Sequence, residues 1–224
     1  ILLFFFFFFE EENIKVRLSG EAEDDAQFID DKMLHARLHL STMVSTAQDY
    51  YRLADGAYAS TGLLDKLQDK EGYFTFAPTG APYTNADVGT VLAKGSLRQV
   101  TPEYRHELNM AINLFTVQKR DFSALLNARQ IYYLSERGFV TLYPQKTLNE
   151  LTANGRYVTV EPFIDGLYAR QAWQLRNERK VSLTGPYSDW ISQQQIVTLS
   201  FPIVDPKMNA AGILCVDLPF DVMA

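Results

Sequence analysis

The 224 residues hold a single cysteine, Cys215, which excludes an intramolecular disulfide and any thiolate zinc cluster. That count fits a reducing cytosol and equally a disulfide-free bacterial periplasmic domain. Basic residues are in deficit: 21 Lys and Arg stand against 27 Asp and Glu, for a net charge of −6. Without clustered cations, nucleic acid is not expected as a partner, nor an anionic membrane surface as the main one. Phosphate-binding glycine loops of either common pattern are missing, and so is a G-x-S-x-G nucleophile turn. Only three histidines occur. His35 and His39 are four apart, a helical spacing that can chelate zinc, yet the Glu of a metalloprotease helix is missing and no third ligand is marked. They read as a solvated helix face. Cys215, inside an apolar stretch, reads as a small core hydrophobe, and no carboxylate pair is marked for acid–base work. We therefore expect no enzyme, no catalytic residue, no metal and no cofactor.

What is present is core-forming material, 47% hydrophobic and 13% aromatic. A chain of this size removes roughly 70% of its extended surface from water. Residues 1–12 stand apart: Ile1, Leu2, Leu3, six consecutive Phe, then three Glu. Nine apolar residues are too few for a span, which takes about 20. A basic flank and a small-residue cleavage site are also missing. This stretch is set aside as the trimmed end of a membrane helix or, preferred, a leader or mis-assigned segment. From Ala26 to Ala57, apolar positions recur at alternating steps of three and four through Met33, Ala36, Leu40, Met43 and Ala47. That is a heptad stripe on a long helix, 13–58, serving its own domain, a dimer seam, or both. Residues 59–120 read as a Gly- and Pro-rich insert with short elements, then a helix from Thr101 to about Val117 with Thr101 as cap and Pro102 first inside. The remaining residues, 121–224, form the last unit. Ile131–Leu134 and Phe139–Tyr143 read as a hairpin, residues 159–178 as a helix, and 181–187, 196–204 and 212–218 as three strands. The fold class is α+β: a long N-terminal helix, then an antiparallel sheet flanked by helices.

Gly185-Pro186-Tyr187-Ser188-Asp189, then Ile196 to Val204, then Gly212 to Asp221 resemble the closing strands of Cache sensor domains, the PAS-like extracytoplasmic modules of bacterial receptors. The resemblance covers about residues 125–221. The insert is more similar to the periplasmic sensors (GAPES type) of membrane diguanylate cyclases than to a simple kinase sensor. The resemblance implies the ligand-sensing periplasmic domain of an inner-membrane receptor, tethered to the membrane, with a diguanylate cyclase or histidine kinase as output. It implies a small-molecule ligand, carboxylate or amino-acid-like, and a homodimer through the N-terminal helix. Carried over by position, the ligand contacts are Tyr168, Arg170 and Trp173 on the helix, Tyr187 and Asp189 in the following strand and turn, and Asp217. The Tyr168-Ala169-Arg170-Gln171-Ala172-Trp173 run departs from both spacings of the amino-acid-binding subfamily. Asp217 is the strongest candidate, since a carboxylate inside an apolar strand needs a partner. The alternative is a protein-interaction module acting through the heptad helix without a small ligand.

Overall fold

A 51-residue helix, α1 (Leu2–Arg52), opens the chain and measures about 76 Å at 1.5 Å per residue. The computed structural model describes residues 2–53, 62–76, 87–125, 127–151, 160–174, 179–189, 191–205 and 207–222, with side chains of α1 mainly from Ala26 onward. The helix runs unbroken through the N-terminal stretch that the sequence reading set aside. Its heptad stripe is seated within the domain: Met33, Ala36, Leu40, Met43 and Ala47 are all buried. The dimer-seam expectation for these positions is thereby corrected, because their apolar surface is already removed from water by this chain's own sheet and second helix. Ahead of them, Ile29 is half-buried and Ala26 exposed. Ala54 and Ala57 lie outside the described residues.

The 59–120 insert contributes more sheet than its loop-rich composition suggests. It supplies β1 (Gln68–Lys70), β2 (Tyr73–Phe76) and β3 (Thr90–Lys94). These continue into β4 (Gln130–Ser135), β5 (Phe139–Tyr143), β6 (Ser182–Ser188), β7 (Gln195–Val204) and β8 (Ala210–Pro219). All eight form one antiparallel sheet in the order β1-β2-β3-β5-β4-β8-β7-β6. The strands of the insert are short and interrupted by turns, so no run there is long enough to show a two-residue period.

Helix α2 (Pro102–Ala124) starts where the Thr101 hydroxyl accepts from the Tyr104 backbone N–H at 3.2 Å. It runs two turns past Val117, because Gln118 and Asp121 are buried rather than solvated. Together α1 and α2 cover one sheet face, packing on Tyr133, Leu199, Leu214 and Val216. The other face, carrying Tyr132, Leu134, Ile213 and Cys215, is covered by α3 (Leu148–Leu151), α4 (Glu161–Ile164) and α5 (Leu167–Gln174). The expected 159–178 helix is thus two short helices, broken at Asp165 and Gly166, where glycine costs about 1 kcal/mol against Ala in a helix. Residues 175–178 lie outside the described set. Burial on both faces explains why β4, β5 and β8 are continuous apolar runs rather than alternating ones. Gly212 leaves room for the Tyr133 ring of the neighbouring strand to lie over it: a Cβ there would lie 2.2 Å from that ring.

Candidate functional site

Along β8 the side chains alternate, so Leu214, Val216 and Leu218 join the α1/α2 core and Ile213, Cys215 and Asp217 face the α4/α5 side. That alternation places a carboxylate in an apolar layer. Asp217 is only 7% exposed. Its neighbours are fixed by register: Thr198 of β7 and Gln130 of β4 stand directly opposite it, and Tyr132 is two places along β4. Thr198 donates to Oδ1 at 2.6 Å and the Tyr132 hydroxyl donates to the same oxygen at 3.1 Å. The Tyr187 hydroxyl on β6 hydrogen-bonds Thr198 in turn. Both side-chain bonds from described residues end on Oδ1, which leaves Oδ2 for another donor. Desolvation pushes the Asp217 carboxyl up from 3.8 to about 7, with the negative charge of Asp189 adding to the shift and the Thr198 and Tyr132 bonds opposing it. Burial likewise raises the Tyr187 phenol.

Asp217 lies on the wall of a cavity of about 410 Å³, within the range of small-molecule sites. Tyr132, Tyr187 and Phe163 give it aromatic sides; Ser192 and Gln194 from the β6–β7 loop, with Gln130, give it polar ones. Two cations also line it, Arg129 and Lys146. Arg129 is placed by its backbone, whose N–H donates to the Asp217 carbonyl at 2.8 Å. Lys146 is placed by its own N–H, which donates to Thr90 Oγ1 at 2.8 Å. Its ammonium stands 4.0 Å from Glu150. A cavity lined by Asp217 and Asp189, by two cations and by aromatic walls is suited to a small molecule that carries both an ammonium and acidic oxygens.

Of the six residues carried over from the resemblance, the fold gathers three around this cavity: Asp217, Tyr187 and Asp189. Asp189 is engaged in building the loop, accepting from the backbone N–H groups of Ile191 at 3.2 Å and Ser192 at 2.7 Å. Arg170 is exposed on α5 and does not line the cavity. The inward face of that helix is made by Ala169 and Ala172, both fully buried, and Arg170 lies about 100° round from Ala169. The expectation that Arg170 and Asp217 share a cavity is corrected on this ground. Trp173 is half-buried and packs on the same apolar layer without lining the cavity. Tyr168 belongs to α5, but its side chain lies outside the described residues. Sequence reasoning missed Arg129 and Lys146, which sit at the ends of β4 and β5 and meet Asp217 only through strand pairing.

A larger cleft, about 750 Å³, opens beside the other end of β8, lined by Tyr51, His106, Glu107 and Arg137 among others. Its buried acid, Glu107, is already satisfied: Tyr133 donates at 2.8 Å, Arg137 Nε at 2.9 Å, and Ser135 also donates. Burial raises its carboxyl in spite of them. That network ties α2 to the β4–β5 hairpin.

No family model matches the sequence, and no curated protein matches it. Among solved structures, it is similar to the ligand-binding domain of the Campylobacter jejuni chemoreceptor Tlp3 in complex with 4-methylisoleucine. That match has 17% identity, covers 90% of this chain and 61% of that one, and has a TM-score of 0.41. It is similar also to the ligand-binding domain of the Pseudomonas fluorescens chemoreceptor CtaA in complex with L-isoleucine, at 17% identity, 52% and 41% coverage and a TM-score of 0.37. The ligand-binding domain of the Pseudomonas aeruginosa amino acid chemoreceptor PctC in complex with GABA matches at 17% identity, 46% and 42% coverage and a TM-score of 0.35. This chain therefore spans between 41% and 61% of the length of those three structures.

Proposed function

We propose that this chain is the ligand-sensing domain of a transmembrane receptor, lying on the periplasmic side, and that it performs no chemistry itself. The observation that carries the reading is buried Asp217, whose side-chain bonds from described residues end on Oδ1, in a cavity that Arg129 and Lys146 also line. A carboxylate kept there against a desolvation cost is understandable if a ligand cation restores its charge. The ligand is a small zwitterion of amino-acid type, its ammonium on Asp217 and its acidic oxygens toward Arg129 and Lys146. Thr198 relays the ligand held on Asp217 to Tyr187 on β6. The helix α1 is the output lever, packed on the β7–β8 side of the sheet that holds Asp217. Following the sequence resemblance, the output is a diguanylate cyclase or a histidine kinase. Pairing of two copies through α1 uses the stretch ahead of Met33. No described helix is long and apolar enough to cross a membrane.

The test is a thermal-shift and calorimetric screen with L-amino acids and ω-amino acids. A true ligand at 100 times its Kd adds about 2.7 kcal/mol of stability. Arg129→Gln and Asp217→Asn should each remove that gain while the unliganded proteins stay folded. Binding that survives both substitutions would put the ligand elsewhere and defeat the assignment.

A further inference from the structure

We propose that His35 and His39 form a two-point site for a divalent transition cation, with Asp121 as its outer-shell carboxylate. The two imidazoles project from successive turns of α1, and their Nε2 atoms are 3.2 Å apart. Two nitrogens bound to one cation at about 2.0–2.1 Å each, at angles near 100–110°, stand roughly 3.1–3.4 Å apart. The pair is therefore already at chelating distance. The rings meet edge to face, with centroids 4.5 Å apart and planes at 77°.

What distinguishes this pair from an ordinary exposed one is the support behind it. Nδ1 of His39 lies 3.2 Å from Oδ1 of Asp121, which is fully buried on α2. Metal-bound imidazoles characteristically donate their second N–H to a carboxylate, which fixes the tautomer and the ring orientation. In the tautomer that carries its proton on Nδ1, beside Asp121 Oδ1, His39 presents the Nε2 lone pair. The proton shared between the two Nε2 atoms then belongs to His35. A cation takes that proton's place, and His35 carries its proton on Nδ1 instead, so the net exchange needs no further group. Asp121 also accepts from Arg120 Nε at 2.8 Å on the same Oδ1, while its Oδ2 is buried without a hydrogen-bond partner.

Among the described residues, no third His, Cys, Asp or Glu completes the set. Solvent or an exogenous donor fills the remaining positions. Imidazole pairs select Cu²⁺, Ni²⁺ and Zn²⁺ over Mg²⁺ and Ca²⁺, and the affinity order places Cu²⁺ above Zn²⁺. Loading would bridge one turn of α1 and strengthen the His39–Asp121 contact that joins α1 to α2. This site is separate from the Asp217 cavity, which lies on the other face of the sheet.

The experiment is calorimetric titration of the untagged chain with Zn²⁺ and Cu²⁺, with Mg²⁺ as control. His35→Gln changes an exposed residue, so its metal-free melting curve should match the wild type while Zn²⁺ affinity falls at least tenfold. Copper electron paramagnetic resonance should show two coordinating nitrogens in the wild type and one in this variant. Asp121→Asn should weaken Zn²⁺ binding 10- to 100-fold with both ligands kept. Equal Zn²⁺ affinity in wild type and His35→Gln would overturn the site. Unchanged affinity in Asp121→Asn, with that variant folded by circular dichroism, would overturn the carboxylate's role.

Discussion

Ionising Asp217 should cost this fold stability, and the pH dependence of unfolding should show it. The carboxyl titrates at about 7 in the folded chain against 3.8 in its ordinary surroundings. Below 3.8 the group is protonated in both states and contributes nothing. Between the two values the unfolded chain releases the proton and the folded chain keeps it, so stability falls as pH rises; above about 7 the penalty is constant. This is the reverse of the usual salt-bridged aspartate, and its cause is desolvation in the apolar layer beside Tyr132 and Phe163. At 1.36 kcal/mol per pH unit the full penalty is about 4 kcal/mol. Urea unfolding of wild type and Asp217→Asn at intervals from pH 4 to pH 8 isolates it, because other titrating groups, Glu107 included, cancel in the difference. The Asn variant should gain about 4 kcal/mol on the wild type across that range. A gain below about 1 kcal/mol would refute the argument that burial keeps Asp217 un-ionised between pH 3.8 and about 7. Adding a ligand ammonium at Oδ2 should shrink the wild-type penalty, since the ionised form then has its partner.

Two further outcomes follow from the packing. Gly212→Ala should destabilise the domain by about 3 kcal/mol or more in a denaturant melt, since the new methyl would lie 2.2 Å from Tyr133, whose hydroxyl is tied to Glu107; a loss under 1 kcal/mol would show that the Tyr133 ring shifts freely. Leu40→Glu with Met43→Glu should leave the domain unfolded rather than folded and unpaired, because both side chains are fully buried in this chain's own core. A native circular dichroism spectrum from that double variant would return the stripe to the role of a seam.

Much of this protein is settled by local pattern. The α1 stripe follows from helical periodicity, the Thr101 cap with Pro102 from capping chemistry, and the β4–β5 hairpin and the closing strands from short apolar, β-branched and aromatic runs bounded by turn residues, all of which neighbouring residues dictate through backbone sterics and hydrogen bonding. Asp217 was legible too, because a carboxylate within Gly212–Leu218 contradicts its surroundings. Tertiary structure alone decided the rest. What the stripe packs against depends on which apolar surface is nearest once the chain collapses, and that proved to be its own sheet and α2. Arg170 falls outside the cavity because Ala169 and Ala172 take the inward face of α5, a choice made by close packing on the sheet. Arg129 and Lys146 reach Asp217's cavity across 88 and 71 residues of sequence, through the pairing of β4 with β8 and of Thr90 with the Lys146 backbone. Strand register is a long-range property, set when whole faces are buried together, and no local window of the sequence contains it.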